Sequence, residues 1–244
     1  MQINPKTVKK QFEKSLTTYN ENAVVQNLMA EKLVNELVKF RSNFESVLEL
    51  GCGAGLLTKK IVENVRFSKY FANDLVENSE KYVKSIVPEA VFYCGNAQRI
   101  KPSRKVDLIV SNAMFQWIDN LSKISENCKN SLNPSGILAF TSFSPENYKE
   151  IKDLTGLSLE YKTFDAVKEI FEKDFEIIYS EEFRHTMNFS SPLEVLAHMK
   201  NTGVNSLNSK HWTVGEVKEF CAEYMEKYPQ NPLTYAGMIF ICKR

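Results

Sequence analysis

The stretch Ser46-Val47-Leu48-Glu49-Leu50-Gly51-Cys52-Gly53-Ala54-Gly55-Leu56-Leu57-Thr58 decides the fold. Its apolar opening, 46–50, reads as a β-strand, and Leu56 to Val65 reads as a helix, with three glycines between them. Strand, glycine turn and helix is the order that brings bare backbone against a nucleotide-sized ligand, because glycine tolerates a positive φ and carries no Cβ. The helix beyond the turn opens with N–H groups that lack intrahelical acceptors and can meet polar ligand atoms. The glycine spacing separates two kinds of ligand. A dinucleotide turn reads G-x-G-x-x-G, and here Leu56 stands where its third glycine would fall.

Working outward, strands are expected at 46–50, 69–74, 90–94, 106–111 and 137–143, with helices over 56–65, 76–87 and 119–131. A repeated β-α-β order implies parallel strands, right-handed crossovers and a doubly wound sheet. Ligands of such sheets bind beyond the carboxyl ends of the strands, where the glycine turn lies. Residues 5–39 read as two helices. Asn4 suits an N-cap and Pro5 the first helical position, and apolar residues recur from Val8, Phe12 and Leu16 to Leu33 and Leu37, with a polar break at Tyr19-Asn20-Glu21-Asn22. Beyond Phe143 the pattern changes to a lysine-rich helical segment at 145–174, a strand at 175–189, helices over 191–228 and a last strand at 235–242. Roughly forty residues between the final two strands far exceed an ordinary loop, which points to inserted helices forming a lid or a partner surface. With no repeat or linker, one decorated domain is expected over 1–244: a helical cap at 1–40, a cofactor-binding half at 44–144, and insertions at 145–174 and 191–228.

A net charge of +1 removes the basic excess expected of a nucleic-acid binder. The N-terminal residues lack the apolar core of a signal peptide, and no later run approaches a membrane span, so a cytoplasmic protein is expected. Five scattered cysteines without C-x-x-C spacing argue for reduced thiols. Histidines at 185, 198 and 211 match no ligand spacing, so no metal site is expected.

Glycines 51, 53 and 55 after an acidic residue resemble the first motif of the S-adenosylmethionine-dependent methyltransferases. In that frame Asp74, at the end of the second strand, is placed to accept hydrogen bonds from both ribose hydroxyls. Gly95-Asn96-Ala97 follows the third strand, where these enzymes commonly carry Gly-Asp-Ala, the aspartate receiving the adenine amino group. The Asn96 amide oxygen can accept the same bond without the charge that strengthens it. Asn112 ends the fourth strand ahead of Ala113-Met114-Phe115-Gln116-Trp117, whose aromatics either wall off the methyl donor or pack the next helix.

Four separated segments make the resemblance narrower. The run from Phe12 through Tyr19 to Ala23-Val24-Val25-Gln26, the turn Leu48–Thr58, Ser111–Trp117 and Leu196-Ala197-His198-Met199-Lys200-Asn201-Thr202-Gly203-Val204-Asn205 are similar to those of the biotin-pathway malonyl-acyl-carrier-protein O-methyltransferases, and Leu154–Tyr161 fits the same family. The resemblance implies a Rossmann-like α/β fold with a mostly parallel seven-stranded sheet and an antiparallel C-terminal strand. It implies S-adenosylmethionine as donor, no metal, and methylation of a malonyl carboxylate held on acyl carrier protein. The cofactor would be held by Tyr19, Gln26, Glu49, Gly51, Cys52, Gly53 and Gly55, and by Asp74, Leu75, Asn96, Ala97 and Asn112; Tyr19, Phe115, Trp117 and Arg184 would serve the acceptor side.

The guanidinium of Arg184 suits bidentate grip of a carboxylate, against the competing reading of a solvated charge on a strand. His185 and His198 read as packing or surface residues. Lys149, Lys152, Lys162 and Lys168 would offer a basic surface to an acidic carrier protein, and a monomer is expected. The rival readings are methylation of another small carboxylate or quinone-type acceptor, and a non-catalytic S-adenosylmethionine-binding protein. A dinucleotide-dependent dehydrogenase is opposed by Leu56.

Overall fold

The computed structural model describes residues 9, 10, 12, 13, 16, 22–202 and 212–244. Asn4, Pro5, Val8, Tyr19, Gly203-Val204-Asn205 and His211 lie outside them, and with them the break between the two expected N-terminal helices.

The described N-terminal residues 9, 10, 12, 13 and 16 are helical, and a helix α1 covers Val24–Phe40. Alternation follows, with β1 (Asn43–Leu50), α2 (Leu56–Asn64), β2 (Arg66–Asp74), α3 (Ser79–Ile86), β3 (Val91–Cys94), β4 (Val106–Ser111), α4 (Leu121–Ser131) and β5 (Leu132–Phe143). The chain ends with α5 (Lys149–Thr155), α6 (Phe164–Glu172), β6 (Glu176–Asn188), α7 (Pro192–Asn201), α8 (Val214–Lys227) and β7 (Pro232–Lys243). The expected strands all form, several of them longer than their apolar runs. The segment 145–174 is less helical than expected, since residues 156–163 between α5 and α6 are not helical.

The seven strands form one sheet in the order β3-β2-β1-β4-β5-β7-β6. The first five are parallel, and β7 runs antiparallel to both neighbours. Strand order reverses between β1 and β4, and a crevice opens at their carboxyl ends, where this topology binds ligands.

The period-2 alternation of strand side chains sorts the core into two layers. Val47 of β1, Tyr70 and Ala72 of β2, and Leu108 and Val110 of β4 pack beneath Leu33, Leu37 of α1 and Ile61 of α2. Leu48, Leu50, Ile109, Leu138 and Phe240 face the other way, against Ile124 and Cys128 of α4 and Phe171 of α6.

A third cluster lies at the carboxyl end of β5, joining Phe143, Leu233 and Tyr235 to Tyr148, Ile151, Val195, Met199 and Tyr224 from α5, α7 and α8 and the residue before α5. Pairing of β5 with β7 ends at Phe143 opposite Gly237, which leaves the next stretch of the β7 edge without a strand partner. Chain 144–150 takes that place. Ser144 and Tyr148 donate their N–H groups to Ala236 and Thr234 carbonyls at 2.9 and 2.7 Å. Asn147 Oδ1 accepts the Ala236 N–H at 3.3 Å, and the buried Glu150 carboxylate accepts the Thr234 N–H at 3.0 Å and its hydroxyl at 2.5 Å. Satisfying a buried strand edge in this way anchors α5 to the sheet.

Candidate active site

The glycine turn is held from below by the end of β2. Gly51 and Cys52 both donate to the Asn73 carbonyl, at 2.8 and 3.0 Å, while the Gly53 N–H reaches Asp74 Oδ2 at 2.8 Å. Gly51 has φ +70°, and a Cβ there would lie 2.5 Å from Met114 Cγ. Gly53 has φ +52°, but a Cβ there would meet nothing within 4 Å. The first glycine is required by packing and the second by the open space above it.

That space is a cavity lined by the turn, the ends of β2, β3 and β4, and N-terminal residues Lys9, Phe12 and Leu16. Phe12 stands edge-on to Trp117, with ring centroids 5.7 Å apart, while Leu16 packs on Ala54 and Val76. Of the expected cofactor residues, Glu49, Gly51, Cys52, Gly53, Asp74, Leu75, Asn96, Ala97 and Asn112 line it, and so does Trp117.

Asp74 is half-buried at the end of β2, where each oxygen already accepts one backbone N–H: Val76 on Oδ1 and Gly53 on Oδ2, both at 2.8 Å. A carboxylate offers about four lone-pair sites, so two remain for a ligand. Burial raises its pKa above the usual carboxylate value, against the lowering effect of those N–H groups. Glu49 is buried, and Thr58 Oγ1 and Tyr70 OH donate to its Oε2 at 2.6 and 2.5 Å. Burial lifts its pKa to about 7 despite both donors. Cys52 is also pushed well up, first by burial and then by the nearby Asp74 and Glu49 charges. It is therefore a thiol that packs, not a nucleophile.

Asn73 had no role in the sequence reading, yet it organises two turns. Its carbonyl takes the glycine turn, and its Nδ2 donates to the Tyr93 and Gly95 carbonyls, both at 2.8 Å. The available signal was a fully buried amide inside an apolar strand, which must find partners. Met114 and Phe12 are further cavity residues that the sequence reading quoted without assigning.

Several expected site residues lie elsewhere. Phe115 does not line the cavity: it is buried in the core, stacked on Phe140 and Phe171 with centroids 4.5 and 5.9 Å away. It occupies the 3-10 turn Phe115–Trp117, in which successive residues diverge by about 120°, so one aromatic enters the core and the other the cavity wall. Gln26 is also absent from the lining. Its side chain is buried with Oε1 unpartnered among the described residues, and only its backbone carbonyl serves the site, accepting Asn112 Nδ2 at 3.0 Å. Asn112 is held further by Thr141 Oγ1, which donates to Oδ1 at 2.7 Å.

Arg184 projects from the edge strand β6, mostly exposed, with Glu146 3.8 Å away, and does not reach the cavity. The solvated-charge reading is the one its position supports. The Asn96 oxygen expected to face adenine is engaged by the Gln98 N–H at 2.9 Å. Tyr19 lies outside the described residues. His198 is buried, with Nε2 2.6 Å from Tyr235 OH, and burial lowers its pKa. Among the described residues no group of three or more His, Cys, Asp or Glu side chains is arranged to hold a metal ion, and no helix is long and apolar enough to cross a membrane.

This fold and cavity define a class I methyltransferase. Residues 48–140 match the family model described as a methyltransferase domain. Among solved structures, the YcgJ protein from Bacillus subtilis superposes with a TM-score of 0.60 at 13% identity, over 87% of this chain and 97% of that one. N-methyltransferase NodS from Bradyrhizobium japonicum, in complex with S-adenosyl-L-homocysteine, gives 0.56 at 11% identity over 98% of both chains. Likenesses this remote in sequence speak to the fold alone.

The curated relatives speak to the family. The malonyl-[acyl-carrier protein] O-methyltransferase of Chlorobium luteolum is 38% identical, over 97% of this chain and 94% of its own length. The enzyme of the same name from Calditerrivibrio nitroreducens is 36% identical over 98% and 96%, and that of Haemophilus influenzae 31% over 99% and 95%. The chain belongs to the malonyl-[acyl-carrier protein] O-methyltransferase family.

Proposed function

We propose that this protein methylates the free carboxylate of a malonyl group carried on acyl carrier protein, giving the methyl ester that primes pimelate synthesis for biotin. One observation carries the reading: relatives of that name match essentially the whole chain, the inserted helices α5, α7 and α8 included, not the cofactor half alone. The residues present fit an S-adenosylmethionine-sized donor. Gly53 opens onto free space, and Asp74 keeps acceptor capacity beside it. When bound, S-adenosylmethionine supplies the electrophilic methyl group and leaves as S-adenosylhomocysteine.

The chain's own residues then have a limited task. A malonyl carboxylate is ionised at neutral pH, so no side chain has to remove a proton. Both reacting charges disappear as the methyl passes, so alignment in a partly dry pocket favours the transition state. Phe12, Leu16 and Trp117 cover the cavity with apolar surface, and Glu49 sets a buried carboxylate against a cationic donor. Trp117 Nε1 is buried without an acceptor among the described residues, and we assign it as a donor to the acyl group.

The test is a mass assay on malonyl-carrier protein with S-adenosylmethionine. A gain of one methyl, removed by an esterase, is the expected result. Cofactor binding without any mass change would leave a binding protein in place of an enzyme.

Docking of the acidic carrier is proposed on the exposed Lys149, Lys152 and Lys162 around α5, acting in the cytoplasm on a monomer. Lys168 contributes less than the sequence implied, since it lies 3.8 Å from Glu172 on the same helix. Exposed charge pairs are screened within about 10 Å at 0.1 M salt, so KM for the carrier protein is expected to rise roughly tenfold between 0.05 and 0.3 M NaCl, with kcat unchanged. A KM indifferent to salt would remove the basic docking surface.

A further inference from the structure

Asn96 ends the turn after β3 and caps the 3-10 segment Ala97–Arg99 from the cavity wall. Its Oδ1 accepts the Gln98 N–H at 2.9 Å. Only the carbonyl end of an amide can accept a hydrogen bond, so this contact fixes which way the side chain lies. The remaining terminal group is Nδ2, a donor with two hydrogens and no protein acceptor among the described residues.

An aspartate at this place would cap with one oxygen and offer the other to a ligand as an acceptor. The amide keeps the cap and reverses the polarity of what faces the cavity. Asp74 lies alongside, joined through its carbonyl to the Gly95 N–H at 2.8 Å, so a purine attached to a ribose at Asp74 comes next to Asn96. Adenine carries a donor at its 6-position, which an N–H group does not complement. A 6-oxopurine carries an acceptor there, which it does.

We propose that Asn96 is a specificity-determining residue that reads the purine 6-position by donation. The site then discriminates weakly between the 6-amino and 6-oxo forms of the cofactor nucleoside. The inference rests on the methyl-donor reading and goes beyond it.

The test is calorimetric binding of S-adenosylhomocysteine and its inosine counterpart to the full chain and to Asn96→Asp. The variant retains an oxygen for the Gln98 cap, and an unchanged thermal midpoint verifies its fold. Polar mismatches in binding sites are strongly discriminating, so the wild type is expected to bind the two nucleosides within about threefold, and Asn96→Asp to favour the adenine form by about tenfold or more. A wild type that already prefers adenine about tenfold, or a ratio unmoved by Asn96→Asp, overturns the proposal. Failure of both nucleosides to bind would overturn it together with the cofactor reading, a result distinct from a wrong ratio.

Discussion

Gly51→Ala is expected to lose about 2–4 kcal/mol of folding stability, combining the cost of a left-handed backbone for a residue with a Cβ and that of overpacking. The residue has φ +70°, and the new methyl would lie 2.5 Å from Met114 Cγ and 2.9 Å from Met114 Cβ. Met114 must then shift, and it shares the cavity wall with Trp117. Gly53→Ala is the matched comparison. Its φ is +52° but its methyl meets nothing, so only the conformational cost of about 1 kcal/mol applies, while the methyl projects into the ligand's space. Urea unfolding of the two variants should rank Gly51→Ala clearly below Gly53→Ala in stability. Calorimetry should find both weakened toward S-adenosylhomocysteine. Equal stability would mean that Met114 yields freely and that the contact does not define the turn.

Asp74→Ala is expected to reduce the affinity for S-adenosylhomocysteine by at least about 100-fold, because each hydrogen bond to a charged acceptor contributes about 1.5–3 kcal/mol and two ribose hydroxyls would lose theirs. Indirect damage adds to this. The Gly53 and Val76 N–H groups lose their acceptor at 2.8 Å, and the glycine turn loses its tie to β2. Asp74→Asn keeps one accepting oxygen and should fall between wild type and alanine. A loss smaller than about fivefold in Asp74→Ala would show that the nucleoside does not engage this carboxylate.

Much of this architecture was legible in the chain. The apolar runs at 46–50, 106–111 and 137–143 became strands because they are buried on both faces, as central parallel strands require. The long insertion before β7 marked helices that belong to no simple βαβ unit, and α7 and α8 are those helices. The turn residues landed around one cavity because glycine spacing and strand ends are properties of a short stretch of chain. Less visible was the replacement of a β5 continuation by Ser144, Asn147 and Glu150, since nothing local marks where a neighbouring strand will run out.

The chain by itself determined the alternating α/β order, the glycine spacing that excludes a dinucleotide turn, and the family, all of which reside in contiguous residues. Tertiary structure decided which side each side chain serves. Phe115 and Trp117 are two positions apart, yet one is stacked in the core and the other lines the cavity, because a 3-10 turn sends neighbours in different directions. Gln26 gives the site its backbone and not its amide, Arg184 remains on an exposed sheet edge, and the amide of Asn96 is turned by the Gln98 N–H. Residue type sets what a group is able to donate or accept; only the packing around it sets where that capacity points.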